Sequence, residues 1–257
     1  MSATAPTYNP LALTGRVVVV TGASSGIGRA TAGVLSRLGA RVVLSGRRVS
    51  ALEETRAGLE APERHLVEPF DLAQLDDIPR WLKSVRERAG EELSGLVHSA
   101  GHGAASPIRA VSRRMIDEVL EPNLHAALLL LRGATAKGVG RDGSSIVFIS
   151  SVAAVTPAKG LVAYAGSKGA LHSVARCAAQ ELAPKRIRVN CVAPAYVATP
   201  MLDQAQTELP GDFTHLQRQV LGVIAPEDVG VAAAYLLSDA ARTVTGTVLT
   251  IDSGYTL

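Results

Sequence analysis

The sequence predicts an α/β fold: a doubly wound parallel sheet of about seven strands with helices on both faces. Short β-branched runs alternate with amphipathic stretches along the 257-residue chain. The runs are apolar at successive positions, as in strands covered on both faces. A glycine-rich turn joins the first run to the first amphipathic stretch.

The first strand is expected at Arg16–Val20, followed by Thr21-Gly22 and a helix over Ile27–Leu38. Ser24 or Ser25 is placed to cap that helix, and Gly39-Ala40 to stop it. Arg41–Leu44 and His65–Val67 read as strands, each before a helix, near Ser50–Leu59 and Leu75–Ala89. Leu93–Val97 is the fourth strand, and one long helix is expected over Met115–Thr135. Ser145–Ile149, a helix through Tyr164–Leu182, Ile187–Val192 and Val248–Ile251 complete the pattern. Residues 1–14 read as an N-terminal extension and 15–257 as a single domain. Within it, Ala195–Ala225, with Pro200, Pro210 and Gly211, shows only broken periodicity and reads as a substrate loop or lid.

Composition narrows the function classes. Apolar residues make up 47% and charged residues 19%, which suits a packed core and not a disordered chain. Net charge is +3, but the basic residues are scattered and aromatics total only 4%, which argues against nucleic acid. No apolar run approaches a membrane span and no signal segment is apparent, so a cytoplasmic location is expected. Cys177 and Cys191 lack CxxC spacing or a His cluster, so no metal site is expected and both read as packing residues.

Thr21-Gly-Ala-Ser-Ser-Gly-Ile-Gly28 places Gly22, Gly26 and Gly28 where the backbone must turn into a helix and approach a pyrophosphate. The same glycines could equally serve close helix–strand packing. The spacing is GxxxGxG and not GxGxxG. With Tyr164-Ala-Gly-Ser-Lys168 downstream, it resembles the short-chain dehydrogenase/reductase family, and the similarity runs from Gly15 to the Asp252-Ser-Gly-Tyr255 turn. The resemblance implies a Rossmann-like fold and a nicotinamide cofactor bound by Gly22, Ser24, Ser25, Gly26, Ile27 and Gly28.

At the end of the second strand, where an acid would hold a ribose 2′-hydroxyl, stand Arg47 and Arg48. A guanidinium can pair with a 2′-phosphate, so NADP(H) is the expected cofactor; the alternative is that both are solvated surface residues. Asp71-Leu72 resembles the family's adenine contact, although Asp71 could be a simple turn residue. The family's Asn-Asn-Ala-Gly is replaced by His98-Ser99-Ala100-Gly101; Ser99, Ala100 and Gly101 keep the cofactor role, and His98 reads as a sheet-end residue. Pro194, Val197 and Thr199 correspond to the segment that meets the nicotinamide.

Tyr164 and Lys168, at i and i+4, share a helix face, where an ammonium and a cationic nicotinamide would bring the phenol down from its ordinary pKa of about 10. The bland reading is an exposed Tyr–Lys pair. Ser151, thirteen residues before Tyr164, is implied by the resemblance to polarise the substrate carbonyl, with Ser150 pointing elsewhere. Asn123 matches the family asparagine that holds a water in a proton relay; alternatively, following Pro122, it marks only a kink. Asn123, Ser151, Tyr164 and Lys168 form the expected catalytic set, and Tyr164 and Lys168 also contact the cofactor.

The expected function is hydride transfer between NADP(H) and a carbonyl or secondary alcohol. Length, the Pro226-Glu-Asp-Val229 helix start and the C-terminal turn most resemble 3-oxoacyl-carrier-protein reductases, so the small-molecule substrate is either free or carrier-bound. Alcohol, sugar or steroid dehydrogenation is the alternative, and loss of Tyr164 or Lys168 would have favoured a non-catalytic NADP(H) sensor. The long helices around Met115–Thr135 and Leu161–Leu182 predict a homotetramer or homodimer.

Overall fold

The computed structural model describes residues 9–156, 158–208 and 213–257. Seven strands form one wholly parallel sheet: β1 (Val17–Thr21), β2 (Arg41–Ser45), β3 (Leu66–Val67), β4 (Leu93–His98), β5 (Gly140–Ile149), β6 (Arg188–Pro194) and β7 (Val248–Ile251). Their order is β3-β2-β1-β4-β5-β6-β7, so the winding reverses between β1 and β4. Ligands in such sheets bind outside the carboxyl ends of the strands at that reversal.

Eight helices cover the faces: α1 (Gly26–Arg37), α2 (Val49–Ala57), α3 (Ile78–Ala89), α4 (Arg113–Leu120), α5 (Ala126–Ala134), α6 (Val162–Leu182), α7 (Pro200–Glu208) and α8 (Pro226–Leu237). Because side chains alternate across a strand, Val18 and Val20 of β1 enter the core beneath α1 and α8. Val17 and Val19 enter the opposite core with α3, α5 and α6. All four valines are fully buried, each worth about 1.5–3 kcal/mol of apolar transfer. A parallel β1 with one face exposed would forfeit half of that. The last carbonyls of α8 are capped by buried cations: Arg16 donates to Leu237 O (2.9 Å), and Arg188 to Leu236 O (2.5 Å) and Ser238 O (3.2 Å).

The structure differs from the sequence expectation in four places. The long helix over Met115–Thr135 is broken into α4 and α5 by a π-turn at Glu121–His125, where the Ala126 N–H reaches Glu121 O, five residues back. Pro122 has no N–H for the regular ladder, and the widened turn buries Asn123 completely. Residue 25 does sit at the N-cap of α1, but neither serine caps it: no side-chain bond is made there, and both serines line a cavity instead. At the other end, Gly39 (φ 90°) ends α1 as expected, its N–H bonding Ser36 O and that of Ala40 bonding Leu35 O.

The Ala195–Ala225 segment is also more regular than its broken periodicity implies. It contains α7, started by Pro200 at the first helical position, and a 3-10 turn at Phe213–Arg218. Pro210 and Gly211 lie outside the described residues. The buried Gln219 amide closes the base, accepting from Tyr196 N (3.0 Å) and donating to Tyr196 O (3.1 Å). Finally, Cys191 is buried but Cys177 is exposed on α6, so only the former is a packing residue.

His98, at the end of β4, is locked as a neutral ring. Its Nε2 lies 3.0 Å from Pro122 O, an acceptor only, so Nε2 carries the proton and Nδ1 accepts from Thr21 Oγ1 at 2.9 Å. Burial lowers its pKa to about 3. His65 is likewise buried, accepting the Val42 N–H, and burial lowers its pKa too. A histidine depressed in the folded state stabilises fully above its ordinary pKa and loses that contribution as pH falls toward the folded value. Stability should therefore decline from pH 7 to pH 5, with His98 alone costing about 2 kcal/mol by pH 5. Denaturation midpoints against pH should show a shallower slope for His98→Gln, and identical slopes would contradict the assignment. Gly28 presents a steric case: a Cβ there would stand 2.2 Å from Gly22 O. Gly28→Ala should cost about 3 kcal/mol. Gly33→Ala on the same helix meets only the Arg37 side chain at 3.5 Å and should be neutral or stabilising in the same thermal melts.

Candidate active site

A cavity of about 750 Å³ opens over the carboxyl ends of β1 and β4, at the reversal of the sheet. One wall is the β1–α1 turn, with Gly22, Ser24, Ser25, Gly26, Ile27 and Gly28. The three glycines serve different ends. A Cβ at Gly22 would lie 2.7 Å from Ala100 N and one at Gly28 would strike Gly22 itself, so these two permit backbone packing. Gly26 (φ 50°) faces Thr199 across the cavity, where a Cβ would meet only that side chain at 3.3 Å. With no serine cap on α1, its first amides remain free for an anion.

Arg47 and Arg48, past the end of β2, line the cavity with exposed side chains, and neither guanidinium makes a hydrogen bond or ion pair with a described residue. Asp71 and Leu72 form the adjoining wall. One Asp71 oxygen accepts the Ala73 N–H (3.1 Å), so this residue is both a turn former and a cavity group. Ser99, Ala100 and Gly101 follow β4 into the cavity, the Ala100 N–H meeting Thr21 Oγ1 at 3.3 Å, and Thr199 closes the far side. Pro194 and Val197 do not line it. Pro194 pairs with Ile251 in the β6–β7 ladder, and the buried Val197 bridges to Ile224, its carbonyl accepting from Thr199 Oγ1 at 3.2 Å.

Asn123 and Lys168 adjoin Gly101 at one end of this cavity, with Tyr164 beside Lys168 and Ser151 bonded to Tyr164, although none of the four forms the cavity wall itself. A Cβ on Gly101 would lie 2.8 Å from Asn123 Oδ1 and 3.3 Å from Lys168 Nζ. Ser151 begins the 3-10 turn after β5, where its Oγ accepts the Ala153 N–H at 3.1 Å and hydrogen-bonds the Tyr164 phenol. Ser150 faces away, donating to Lys168 O (2.9 Å) beside His172 Nε2. Lys168 is buried; its ammonium donates to Ile149 O at 2.8 Å and stands 5.8 Å from the Tyr164 ring centroid.

The electrostatics differ from the expectation for Tyr164. Desolvation raises its pKa above the ordinary phenol value, offset in part by the Ser151 hydrogen bond, and no lowering arises from Lys168. Lys168 is itself pushed down by burial to about 8, so it still carries its charge at neutral pH. The chain's own groups thus hold the phenol protonated.

The Asn123 side chain is held entirely by protein groups. Both Nδ2 protons are taken, by His102 O (3.0 Å) and Ser167 Oγ (2.9 Å), while Oδ1 accepts the His102 N–H (2.8 Å). The side chain grips the loop that follows Gly101. Its position after Pro122 marks a break and a site residue at once.

Sequence reasoning missed Phe70, His102, Glu118, Glu121 and Met201, all on the cavity wall. Thr199-Pro200 was the available signal for Met201, as the start of a helix. The others carry none: Phe70 and His102 arrive from loops, Glu121 from the π-turn, and Glu118 from a face of α4 that periodicity reads as solvated. Among the described residues no cluster of His, Cys, Asp or Glu could hold a metal ion, and no helix is long and apolar enough to cross a membrane.

A family model described as enoyl-(acyl carrier protein) reductase matches residues 22–256. The chain is 36% identical over 252 residues to cis-4-hydroxycyclohexanecarboxylate dehydrogenase of Sinomonas cyclohexanicum, covering 94% of this chain and 96% of that one. It is 30% identical over 243 residues to a 3-oxoacyl-[acyl-carrier-protein] reductase of Rickettsia prowazekii, covering 94% and 97%. Among solved structures, one from Beutenbergia cavernae described as an NAD(P)-dependent gluconate 5-dehydrogenase, with NADP bound at low occupancy, superposes with a TM-score of 0.85. It shares 33% identity over 96% of this chain and 99% of that one. With the seven-stranded parallel sheet already in place, the chain belongs to the short-chain dehydrogenase/reductase family, whose members bind a nicotinamide cofactor and act on alcohol and carbonyl groups.

Proposed function

We propose that this chain is an NADP(H)-dependent oxidoreductase that interconverts a carbonyl and a secondary alcohol, with Tyr164 as the proton donor and acceptor. The observation that carries this reading is the hydrogen-bonded Ser151–Tyr164 pair beside the buried Lys168, whose ammonium adjoins Gly101 at one end of a cavity large enough for a dinucleotide. The cavity residues fit such a cofactor: uncapped α1 amides for the pyrophosphate, a Cβ-free Gly26, and two unpaired guanidinium groups for a ribose phosphate. Bound there, it supplies the hydride in reduction and accepts it in oxidation.

The chain's residues handle the oxygen and its proton. Ser151 O–H and Tyr164 O–H together hold the substrate oxygen, and Tyr164 donates its proton as the carbonyl is reduced. A raised pKa keeps that proton in place beforehand. The Lys168 ammonium, 5.8 Å from the Tyr164 ring centroid, is the charge that closes on the phenolate as it forms. Asn123 positions the Gly101–His102 backbone beside both groups.

Arg47, with Arg48 beside it, supports NADP(H) over NAD(H), as does the NADP in one structural relative. The similarity to a 3-oxoacyl-carrier reductase supports a carrier-bound substrate as the second reading. We also propose a cytoplasmic location and a homodimeric or homotetrameric state.

Trp81, the only tryptophan, stacks at 4.8 Å on the cavity residue Phe70, so cofactor binding is expected to quench its fluorescence. Tyr164→Phe should lower kcat for ketone reduction by about 10³-fold while NADPH still quenches Trp81. Undiminished turnover would refute the proton-transfer role. Arg47→Asp should raise KM for NADPH at least about 10-fold and that for NADH by less than about 3-fold. Equal losses with both cofactors would count against a phosphate role.

A further inference from the structure

Gly103 is a glycine that neither its backbone nor its packing requires. Its φ lies outside the left-handed region, so other residues can adopt its conformation. A Cβ there would find Met201 Sδ at 3.8 Å and Tyr164 Cδ2 and Cε2 at 4.0 Å, all ordinary contact distances. Gly22 and Gly28, by contrast, have backbone atoms within 3 Å. The missing side chain at 103 therefore leaves space bounded by the Tyr164 ring edge and the Met201 thioether.

That space has a fixed position. Asn123 holds both backbone polar groups of the preceding residue, His102 (2.8 and 3.0 Å). Three residues beyond Gly103, the Ser106 N–H bonds Gly160 O at 2.9 Å, just ahead of α6. The atoms nearest to it are apolar: aromatic carbon of Tyr164 and the thioether of Met201, itself half-exposed. The segments that deliver Ser151 and Tyr164 also carry the exposed Val155 and Val162. Water contact with these groups is unfavourable, and a hydrocarbon group laid against them would relieve it.

We infer that Gly103 is the specificity-determining residue of the site, because the space left beside Tyr164 and Met201 receives the larger apolar substituent of the carbonyl substrate. This rests on the oxidoreductase reading above. The ligand class is a ketone or secondary alcohol bearing a ring or branched hydrocarbon, and a side chain at 103 converts the site to one for small substrates.

The test compares Gly103→Ala and Gly103→Leu with the unmodified chain, using NADPH with cyclohexanone and with acetone. Gly103→Leu should reduce kcat/KM for cyclohexanone at least about 50-fold and that for acetone by less than about 3-fold, with Gly103→Ala between. NADPH should quench Trp81 equally in all three, which reports an intact fold and cofactor site. Parallel losses on the two ketones, or an unmodified chain that reduces acetone but not cyclohexanone, would overturn the inference. If the unmodified chain quenches with NADPH yet reduces neither ketone, this inference falls, while the oxidoreductase reading is decided separately by the Tyr164→Phe comparison.

Discussion

The site is organised around the side-chain amide of Asn123, which is fully buried and bonded through both its nitrogen and its oxygen. Losing one partner would leave a buried polar atom unpaired, at about 1–3 kcal/mol, so the amide fixes the groups it touches. Those groups belong to the loop after β4, through His102, and to α6, through Ser167. Gly101 and Gly103 flank the gripped residue, so one amide sets the backbone beside Lys168 on one side and beside Tyr164 on the other. The π-turn brings Asn123 inward, and His98 holds its Pro122 carbonyl to the end of β4.

Around that frame, burial acts in opposite directions on the two titratable groups. It disfavours phenolate at Tyr164 and disfavours ammonium at Lys168. The result is a protonated phenol next to a lysine whose charge is held less firmly than in water, a combination poised for proton donation. In the proposed mechanism, stabilisation of the phenolate then depends on charge brought close during the reaction.

Much of the architecture was legible because strand and helix periodicity is local. All seven strands lie where their β-branched runs placed them, within one or two residues except for the longer N-terminal part of β5. The failures have local physical causes. Pro122 interrupts a pattern that is apolar on both sides of it, so periodicity alone joined α4 to α5. The 195–225 segment is held by Gln219 bonding the backbone of Tyr196, and a bond between an amide and a distant main chain leaves no periodic trace. Cys177 occupies a helix position whose exposure depends on which face α6 turns inward.

By itself the sequence determined the reaction class, because a glycine turn, Ser151 and a Tyr164–Lys168 pair at i and i+4 are local spacings set by one loop and one helix. Tertiary structure decided everything that depends on distance between segments. It separated Gly22 and Gly28, where backbone atoms leave no room for a Cβ, from Gly26, where only the Thr199 side chain stands near. It removed Pro194 and Val197 from the cavity wall and brought Phe70, His102 and Met201 to it. It also gave Tyr164 a raised rather than a lowered pKa, because desolvation depends on the atoms packed around a group and not on its neighbours in sequence.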